Sequence, residues 1–361
     1  TEETTNQTDQ ASAPEKIHVA FCLDNNYAEC TGVAAYSLCK NMAPEDEVVI
    51  HIVMSEPLQL RHRKKFQELE QMFAPKVKIR IYDSEKYLEQ LMTRFKNNLV
   101  IRNWPISKLA RIVLPELLPS SLDKVISLDA DVLILSSLRD LWNRLPHEDH
   151  FIAGVIRCFY AERDYDPESE SKHGLLPWLR ETQLGLRPSF DIHISVIVWD
   201  LRKICQTRHL INETIDFMFR YGPPLLAQDT ISLVFRDHIL PCGEEWNHRT
   251  HYAIFEKPSI QTDFADILHC TARPKPWKIK PHEVVKIRRK AIMSYLTLRP
   301  PTIWHRYRQE SPWRCSVRSR FWELFATPED RKLFKPIFIG IAATLALTTS
   351  VSLYYLGRFF F

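Results

Sequence analysis

The stretch Val125–Leu135, VISLDADVLIL, places two aspartates inside an otherwise apolar run. Its first residues predict a buried strand, and Asp129 and Asp131 follow where that strand ends. Because the two aspartates are two positions apart, their side chains can face the same way. Neighbouring carboxylates repel each other, and Mn²⁺ or Mg²⁺ relieves that repulsion by accepting hard oxygen ligands. The pair therefore predicts a metal site, with a turn of solvated acids as the alternative.

The strand before the aspartates is the fourth in a series of strands that alternate with helical patterns. The strands are predicted at Ile17–Leu23, Glu47–Met54, Val77–Tyr82 and Lys124–Leu128. The helices are predicted at Thr31–Asn41, Leu58–Met72 and Ser107–Leu118. This alternation predicts an α/β fold with a mostly parallel sheet flanked by helices. Ligands bind beyond the carboxyl ends of the strands in such sheets, which is where the aspartates lie.

A second polar group follows a short apolar segment at Asp266–Leu268. His269 comes directly after that segment, and Lys275 lies six residues further on between two prolines. An imidazole suits Mn²⁺ better than Mg²⁺, and a lysine beside a metal can neutralise a diphosphate leaving group. Alone, each of these side chains would more often be structural or solvated. Their occurrence together with Asp129 and Asp131 favours a single site for a metal and a diphosphate.

The composition of the chain excludes several classes of protein. Of 361 residues, 45% are hydrophobic and 25% are charged, which is typical of a globular chain. A mean hydropathy of −0.25 excludes a polytopic membrane protein. The chain has 8 glycines and neither of the glycine-rich phosphate-binding motifs, G-x-G-x-x-G or G-x-x-x-x-G-K-[ST]. Its 8 cysteines include no C-x-x-C pair, which argues against both a disulfide framework and a zinc site.

Positive charge is concentrated near the C-terminus. Residues 278–335 contain 15 lysines and arginines against 5 acidic residues, so the rest of the chain is net negative. The next segment, Pro336–Gly357, has 22 residues and no charge. As a helix it would span about 33 Å, close to the thickness of a bilayer's hydrocarbon core. A basic segment before such a run favours a membrane anchor with its basic side in the cytoplasm, and a buried C-terminal helix is the alternative.

Three motifs resemble, in the same order, those of glycosyltransferase family 8. They are D-N-N-Y at Asp24–Tyr27, L-D-A-D-V-L at Leu128–Leu133 and H-x-x-x-x-x-K-P-W at His269–Trp277. The likeness extends from about Lys16 to Trp277, and within the family the chain most resembles bacterial lipopolysaccharide core hexosyltransferases. The resemblance implies the GT-A fold, which is a Rossmann-like α/β domain, and retaining transfer from a nucleotide-diphosphate sugar.

The resemblance also implies a role for each residue that matches a family motif. The residues expected to hold the nucleotide and its diphosphate, directly or through the metal, are Asp24, Asn26, Tyr27, Arg111, Asp129, Asp131 and Lys275. The residues expected to bind Mn²⁺, or Mg²⁺ in its place, are Asp129, Asp131 and His269. The residues expected to act in catalysis near the donor sugar are Gln228, Asp229 and Arg111. A solvated arginine on a helix face is the alternative for Arg111.

Three residues depart from the family's pattern. His193 stands where the family's F-N-[AS]-G segment has its asparagine, and Ser195 stands where that segment has its glycine. Ala227 stands where the family's D-Q-D segment has its first aspartate. The metal and nucleotide end of the site therefore matches the family, whereas the sugar end is altered.

These patterns divide the chain into four segments. They are a disordered polar tail (1–15), a GT-A transferase domain (16–290), a basic, aromatic-rich segment (291–335) and a candidate transmembrane helix (336–357). We expect the last two segments to associate with a membrane, with the catalytic domain in the cytoplasm, or in a lumen if the source is eukaryotic. Aromatic side chains among arginines are also typical of surfaces that bind single-stranded nucleic acid. The adjacent charge-free segment makes lipid headgroups, and not nucleic acid, the expected partner.

The sequence thus predicts a metal-dependent retaining glycosyltransferase that moves a hexose from a UDP-sugar to a saccharide. We expect the acceptor to be lipid-linked and similar to lipopolysaccharide. Because Ala227 supplies no carboxylate, we expect the acceptor hydroxyl to attack on the same side as the leaving group. The alternative, motivated by His193, Ser195 and Ala227, is a membrane-tethered nucleotide-sugar-binding protein whose catalysis is lost or altered.

Overall fold

A computed structural model describes the alternating strands and helices of this protein. It covers residues 15–94, 107–145, 149–159, 190–207, 209–221, 227–249, 265–271, 275–278 and 303–314. The strands in these ranges are β1 (Ile17–Leu23), β2 (Val48–Met54), β3 (Val77–Asp83), β4 (Lys124–Leu128), β5 (Val132–Ile134), β6 (Ile152–Phe159), β7 (Phe190–Asp200), β8 (Ile239–Cys242), β9 (His248–Arg249) and β10 (Ile267–His269). The α-helices are α1 (Ala28–Asn41), α2 (Leu60–Met72), α3 (Glu85–Arg94), α4 (Ser107–Ile112), α5 (Leu114–Leu117), α6 (Arg139–Trp142), α7 (Leu201–Gln206), α8 (His209–Tyr221), α9 (Ala227–Val234) and α10 (Ile303–Glu310).

The larger sheet of the described residues has the strand order β3-β2-β1-β4-β7-β6-β8. The strands β3, β2, β1 and β4 run parallel to one another. β7 runs antiparallel to both β4 and β6, and β6 pairs in parallel with β8. The predicted α/β class with a mostly parallel sheet flanked by helices is therefore confirmed, and β7 adds an antiparallel strand directly beside β4.

The central strands are apolar because other elements cover both faces of the sheet. Every residue of β2 is buried, as are six of the seven residues of β1. Successive residues of β4 belong to different hydrophobic clusters, with Val125 in one and Ile126 in the other, as expected for the two faces of a sheet. Strands buried on both faces form continuous apolar runs, which is why the sequence pattern located them closely.

Helix α1 begins three residues earlier than the sequence pattern predicts, at Ala28 rather than Thr31. The reason lies in the preceding turn, where the Asp24 carboxylate accepts hydrogen bonds from the amides of Asn26 and Tyr27. An aspartate that bonds the backbone of its own turn in this way fixes the turn and starts the helix directly after it. The helix therefore begins before the first residues that show helical spacing of apolar side chains.

The helix predicted over Ser107–Leu118 is divided into α4 and α5. Pro115 lies within α5, and it lacks the amide proton that would bond to the carbonyl of Arg111 in one continuous helix. The division leaves Arg111 in the last turn of α4.

A smaller sheet of the described residues, with the order β5-β10-β9, brings distant parts of the chain together. β10 runs antiparallel to β5, with His269 opposite Val132. The amide of Cys270 also donates a hydrogen bond to the carbonyl of Asp131, at 2.9 Å. The pairing therefore holds His269 beside the residues that follow β4.

Strand β7 carries a bulge next to the end of β4. Gly154 and Val155 are adjacent on β6, yet they pair with Ile197 and His193 of β7. The three intervening residues of β7, Ile194–Val196, therefore have no counterpart on β6. Bulges increase local twist and redirect side chains, and they occur often beside active sites.

The described part of the C-terminal segment, 303–314, packs against the first two helices. The ring of Trp313 lies edge-on to Phe66 of α2, with 4.9 Å between ring centroids. Gly32 of α1 allows this approach, because a Cβ atom at that position would come within 2.4 Å of the Trp313 ring.

The remainder of the predicted C-terminal organisation lies outside the described residues. This applies to most of the basic segment at 291–335, to the candidate transmembrane helix at 336–357 and to most of the tail at 1–15. Within the part of the chain that the structure describes, we find no helix with the length and apolar character needed to cross a bilayer.

Candidate active site

The parallel strands β1 and β4 end at the same edge of the sheet, where their following turns meet. The turn after β1 contains Asp24, Asn26 and Tyr27. Oδ1 of Asp24 accepts hydrogen bonds from the amides of Asn26 at 2.9 Å and Tyr27 at 3.3 Å, so this carboxylate shapes the turn. The Tyr27 side chain is 41% exposed. Partial burial and the nearby Asp131 carboxylate both raise the pKa of Tyr27. The effect of Asp131 shows that Tyr27 lies close to the acidic turn after β4.

Asp129, Asp131 and His269 form a cluster beyond the end of β4. One ligand atom from each of the three side chains lies within 4.8 Å of the other two. Asp129 and His269 are buried, and Asp131 is partly buried. Two carboxylates and one imidazole are a donor set that suits a divalent cation such as Mn²⁺. The residues that the sequence predicts as metal ligands are thus brought together, and their chemistry fits such an ion.

Asp131 has two cationic or protonatable neighbours. Its Oδ1 lies 3.3 Å from His269 Nε2, and its Oδ2 accepts a hydrogen bond from Lys275 Nζ at 2.7 Å. Lys275 also donates to the carbonyl of Cys270 at 2.5 Å. Burial alone would raise the pKa of Asp131, but the hydrogen bonds and charges of His269 and Lys275 outweigh it and lower the pKa. The carboxylate is therefore ionised at neutral pH, as a metal ligand must be.

Asn247 holds the imidazole of His269 from the other side. Asn247 Oδ1 lies 2.9 Å from His269 Nδ1, and both side chains are buried. Because an amide oxygen only accepts hydrogen bonds, Nδ1 carries a proton and donates it to Asn247, and Nε2 is the nitrogen that faces Asp131 and could bind a metal ion. This arrangement is typical of metal-binding histidines, whose second nitrogen donates to a fixed acceptor. The sequence pattern did not identify Asn247, and nothing in its local sequence distinguishes it.

Arg111 projects from the last turn of α4 onto Asp129. Its Nη1 atom lies 2.5 Å from Asp129 Oδ1. Burial disfavours the charged guanidinium, but the charge of Asp129 outweighs that effect and raises the pKa of Arg111. Arg111 is therefore a permanent positive charge within the cluster, and not a solvated residue on a helix face.

Ser195 and His193 contact Asp129 from the bulge of β7. The Ser195 hydroxyl donates to Asp129 Oδ2 at 3.0 Å, and His193 Nδ1 lies 2.6 Å from the same hydroxyl oxygen. The rings of His193 and His269 meet edge-on with 5.3 Å between centroids. Burial, followed by the nearby His269, lowers the pKa of His193 to about 4. Two of the three residues that depart from the family's pattern are therefore part of the cluster's surroundings.

A second group of charges lies around Arg157 of β6. Arg157 Nη2 is 3.0 Å from Asp229 Oδ1, and Arg157 Nε donates to Asp191 Oδ2 at 2.7 Å. Both carboxylates are almost fully buried. Arg157 is also close enough to His193 to lower its pKa. Asp229 was predicted for the site, whereas Asp191 and Arg157 were not. Asp191 does carry the signal that identified Asp129, which is an acid inside an apolar strand.

Gln228 and Asp229 belong to the first turn of α9, which begins at Ala227. Asp229 is buried and pairs with Arg157, and Gln228 is partly buried beside it. Neither is among the three residues whose ligand atoms cluster. The structure thus separates the predicted site residues into a metal-type cluster and a charged group around Arg157.

A small cavity adjoins the cluster on the side of Asn247. Its volume is about 100 Å³, and its lining consists of Val155, Ile156, Glu244, Asn247, His248 and Arg249. Asn247 contributes to this cavity and to the hydrogen bond with His269, so the cavity wall is also the support of the imidazole.

Comparison with known proteins assigns the chain to a class. The family described as Glycosyl transferase family 8 matches residues 18–183. A probable galacturonosyltransferase-like 4 of Arabidopsis thaliana is 30% identical in an alignment of 280 positions that covers 73% of this chain and 74% of that protein. The lipopolysaccharide 1,3-galactosyltransferase of Salmonella typhimurium is 26% identical over 148 residues, which are 41% of this chain and 40% of that protein.

A solved structure shares the fold. The galactosyltransferase LgtC, crystallised with donor and acceptor sugar analogues, has a TM-score of 0.54 with 22% identity, over 72% of this chain and 89% of LgtC. The α/β fold, the Asp-Asp-His cluster and these relatives define a glycosyltransferase. The chain belongs to glycosyltransferase family 8, which confirms the resemblance that its three motifs indicated.

Proposed function

We propose that the protein is a Mn²⁺-dependent retaining transferase that moves a hexose from a UDP-sugar to a saccharide acceptor. The observation that carries this proposal is the convergence of Asp129, Asp131 and His269 with Lys275 beside them. Two carboxylates, an imidazole and an ammonium group match the needs of a metal-bound diphosphate leaving group.

Each residue of the cluster has a distinct task in this proposal. Asp129, Asp131 and His269 would hold the cation, which would neutralise the negative charge that develops on the departing diphosphate. Lys275 reaches the diphosphate from beside Asp131, and its two bonds to Asp131 and the Cys270 carbonyl fix its position. Such a fixed cation stabilises the leaving group without having to reorganise during the reaction.

Tyr27 and the turn before α1 are proposed to bind the nucleotide. The Tyr27 ring is exposed over 41% of its surface while its neighbours in α1 are buried, so it offers a face for stacking a base. Asn26 is an exposed amide in the same turn, and amides can pair with the edges of uracil or the ribose hydroxyls.

The charged group around Arg157 supports front-side attack by the acceptor hydroxyl. Ala227 supplies no carboxylate, and the buried carboxylates of Asp191 and Asp229 are both paired with Arg157. A carboxylate neutralised by a guanidinium is a poor nucleophile, so these residues are better suited to binding sugar hydroxyls. The departing diphosphate would then accept the proton of the attacking hydroxyl.

The acceptor and the location of the enzyme belong to the same proposal. Of the relatives, one is named for galacturonosyl transfer and one for galactosyl transfer to lipopolysaccharide, so a hexose or its uronic acid is the expected sugar. The basic segment at 291–335 and the charge-free run at 336–357 favour a lipid-linked acceptor at a membrane surface, reached by a transferase domain at 16–290.

The experiment is a screen of UDP-sugars for Mn²⁺-dependent release of UDP, with the unaltered protein beside Asp131→Ala. We expect Asp131→Ala to reduce UDP release by at least about 100-fold, because it removes a metal ligand and the partner of Lys275. Glu47→Gln is the matched control, because it removes an exposed carboxylate that pairs only with Lys16 in the described residues. Full activity of Asp131→Ala would contradict the metal assignment, and donor binding without UDP release would support the nucleotide-sugar-binding alternative.

A further inference from the structure

We propose that Ser195 and His193 are positioning residues that fix the metal-binding carboxylate of Asp129. The inference rests on the proposed function, because it concerns a ligand of the proposed metal site. Both residues depart from the family's pattern, in which asparagine and glycine stand at these positions.

The directions of the hydrogen bonds define a chain of three side chains. The carboxylate of Asp129 can only accept hydrogen bonds, so the Ser195 hydroxyl donates its proton to Asp129 Oδ2, at 3.0 Å. His193 Nδ1 must then donate to the Ser195 oxygen, 2.6 Å away. The Ser195 amide also points at this nitrogen, at 3.4 Å, and would need a lone pair there, but the much shorter contact with the hydroxyl oxygen indicates that Nδ1 carries the proton. The chain His193 to Ser195 to Asp129 thus runs in one direction and ends on the carboxylate.

The two oxygens of Asp129 are held by different groups. Arg111 Nη1 lies 2.5 Å from Oδ1, and the Ser195 hydroxyl is bonded to Oδ2. A carboxylate held at both oxygens cannot rotate about its Cβ–Cγ bond, and each oxygen still has a second lone pair for a cation. Partners of this kind orient metal ligands, and removing one typically reduces metal affinity by about 10-fold to 100-fold.

The bulge of β7 explains how Ser195 reaches Asp129. Because Ile194–Val196 have no counterpart on β6, this part of β7 follows β4 instead, and the Ser195 carbonyl accepts a hydrogen bond from the Asp129 amide at 2.9 Å. Ser195 is thus bonded to Asp129 through both its backbone and its side chain. Ser195 is fully buried, so Asp129 and not water satisfies its hydroxyl. A glycine at this position would keep the backbone contact and lose the hydroxyl.

The test measures the affinity of the full chain for Mn²⁺ in the absence of any sugar donor, from the electron paramagnetic resonance signal of free Mn²⁺. We expect Ser195→Ala to weaken Mn²⁺ binding about 10-fold, and Ser195→Thr, which keeps the hydroxyl, to stay within about threefold of the unaltered protein. His193→Phe keeps a ring and removes the donor, so it should weaken binding less than Ser195→Ala. In the Ser195→Ala background, the same His193 substitution should change the affinity by less than about twofold, because His193 acts through Ser195.

A buried serine elsewhere separates positioning from general stability. Ser37 of α1 accepts from the Ile134 amide and donates to the Ala34 carbonyl, so Ser37→Ala removes a comparable pair of bonds away from the cluster. We expect it to lower the thermal unfolding midpoint measured in EDTA and to leave Mn²⁺ affinity unchanged.

The outcomes distinguish this inference from the proposed function. If the unaltered protein binds Mn²⁺ and Ser195→Ala binds it within twofold, the inference is overturned and the proposed function stands. An equal loss of affinity in Ser195→Ala and Ser37→Ala also overturns it, because the effect would then be one of stability. If the unaltered protein binds no Mn²⁺, both the proposed function and the inference fail.

Discussion

Asp129 and Asp131 are two positions apart, but their surroundings differ. Asp129 is paired with Arg111, whereas Asp131 is paired with Lys275 and approached by His269. Each carboxylate therefore has its own cation, which reduces the repulsion between them. In the proposed complex, a metal ion bound to both aspartates would share the carboxylate of Asp131 with Lys275, which is bonded to its Oδ2 atom while Oδ1 faces His269.

Asn247 provides a prediction about the imidazole ligand. Asn247→Ala removes the acceptor for the Nδ1 proton of His269, so the ring can rotate or change tautomer, and we expect Mn²⁺ affinity to fall by about 10-fold or more. Asn247→Asp keeps an acceptor at the same place and is the matched control. Titration calorimetry with Mn²⁺ checks both variants, and equal affinities for Asn247→Ala and the unaltered protein would contradict the assigned tautomer.

The sequence predicted a site residue when the residues next to it in the chain marked it, and missed it when only distant contacts did. Asp129, Asp131 and His269 follow apolar segments and Lys275 lies six positions after His269, and the structure brings these four together. His193 and Ser195 stood out only as departures from a pattern, because their contact with Asp129 depends on unequal pairing of β6 and β7. The bulge that produces this contact has no marker in the local sequence.

The partners of the second charged group show the same limit. Asp229 was expected in the site, but its partner Arg157 lies 72 positions earlier in the chain, on a different strand. Tertiary packing decides which distant residues pair, and the hydrophobic periodicity of a single segment carries no information about that packing.

At the scale of secondary-structure elements, a partly buried chain of polar side chains links three parallel strands. His18 of β1, His51 of β2 and Tyr82 of β3 are linked, with 2.9 Å between His18 Nδ1 and His51 Nε2 and 2.9 Å between His51 Nδ1 and the Tyr82 hydroxyl. His51 is fully buried, and burial, followed by the charges of His18 and Arg80, lowers its pKa to about 3. The chain of bonds therefore depends on a neutral His51.

This chain predicts a loss of stability at mildly acidic pH. Between pH 6.5 and about 3, His51 binds a proton in the unfolded state but not in the folded state, so the free energy of unfolding falls as the pH falls. Lowering the pH from 7.5 to 5.5 should cost about 1 kcal/mol through this residue. Urea unfolding at both pH values, for the unaltered protein and His51→Phe, measures the contribution as the difference between their pH-dependent losses.

His209 provides the control, because it is an exposed histidine at the start of α8. His209→Gln should keep the pH dependence of the unaltered protein. Equal pH-dependent losses in His51→Phe and the unaltered protein would contradict a depressed pKa for His51.

Strands and helices differed in how well their sequence predicted them. The parallel strands are long apolar runs between amphipathic helices, so their position follows from hydrophobicity alone. The smaller sheet is built from segments of two or three residues, which are too short to have a period of their own. Its formation depends on which distant segments meet, and only the polar residues at the ends of β4 and β10 indicated that they would.

At the scale of the whole molecule, the chain combines a net negative body with a basic C-terminal region. Part of that region, 303–314, lies on the helical layer, where Trp313 packs against Phe66 and Arg308 Nε lies 2.5 Å from Glu29 Oε1 of α1. The described part of the basic region is therefore joined to the transferase body by packing and by an ion pair. The proposed contact with an anionic membrane surface rests on the net positive charge of the whole region.

Deletion of residues 336–361 tests the proposed anchor. We expect the shortened protein to leave the membrane fraction, because the charge-free run is removed, and to keep its rate of UDP-sugar hydrolysis, because the cluster residues all precede position 276. Flotation with vesicles that contain anionic lipid measures the first effect, and UDP release measures the second. Unchanged flotation would point to the basic segment at 291–335 as the membrane contact.

The pairing of β10 with β5 has a consequence for the synthesis of the protein. Asp131 and His269 are about 140 positions apart, so the parallel core of β1 to β4 can emerge from the ribosome long before the imidazole does. A nascent or prematurely terminated chain that ends before β10 would contain both aspartates but could not complete the three-ligand cluster. The proposed metal site could therefore form only after the chain has been translated as far as His269.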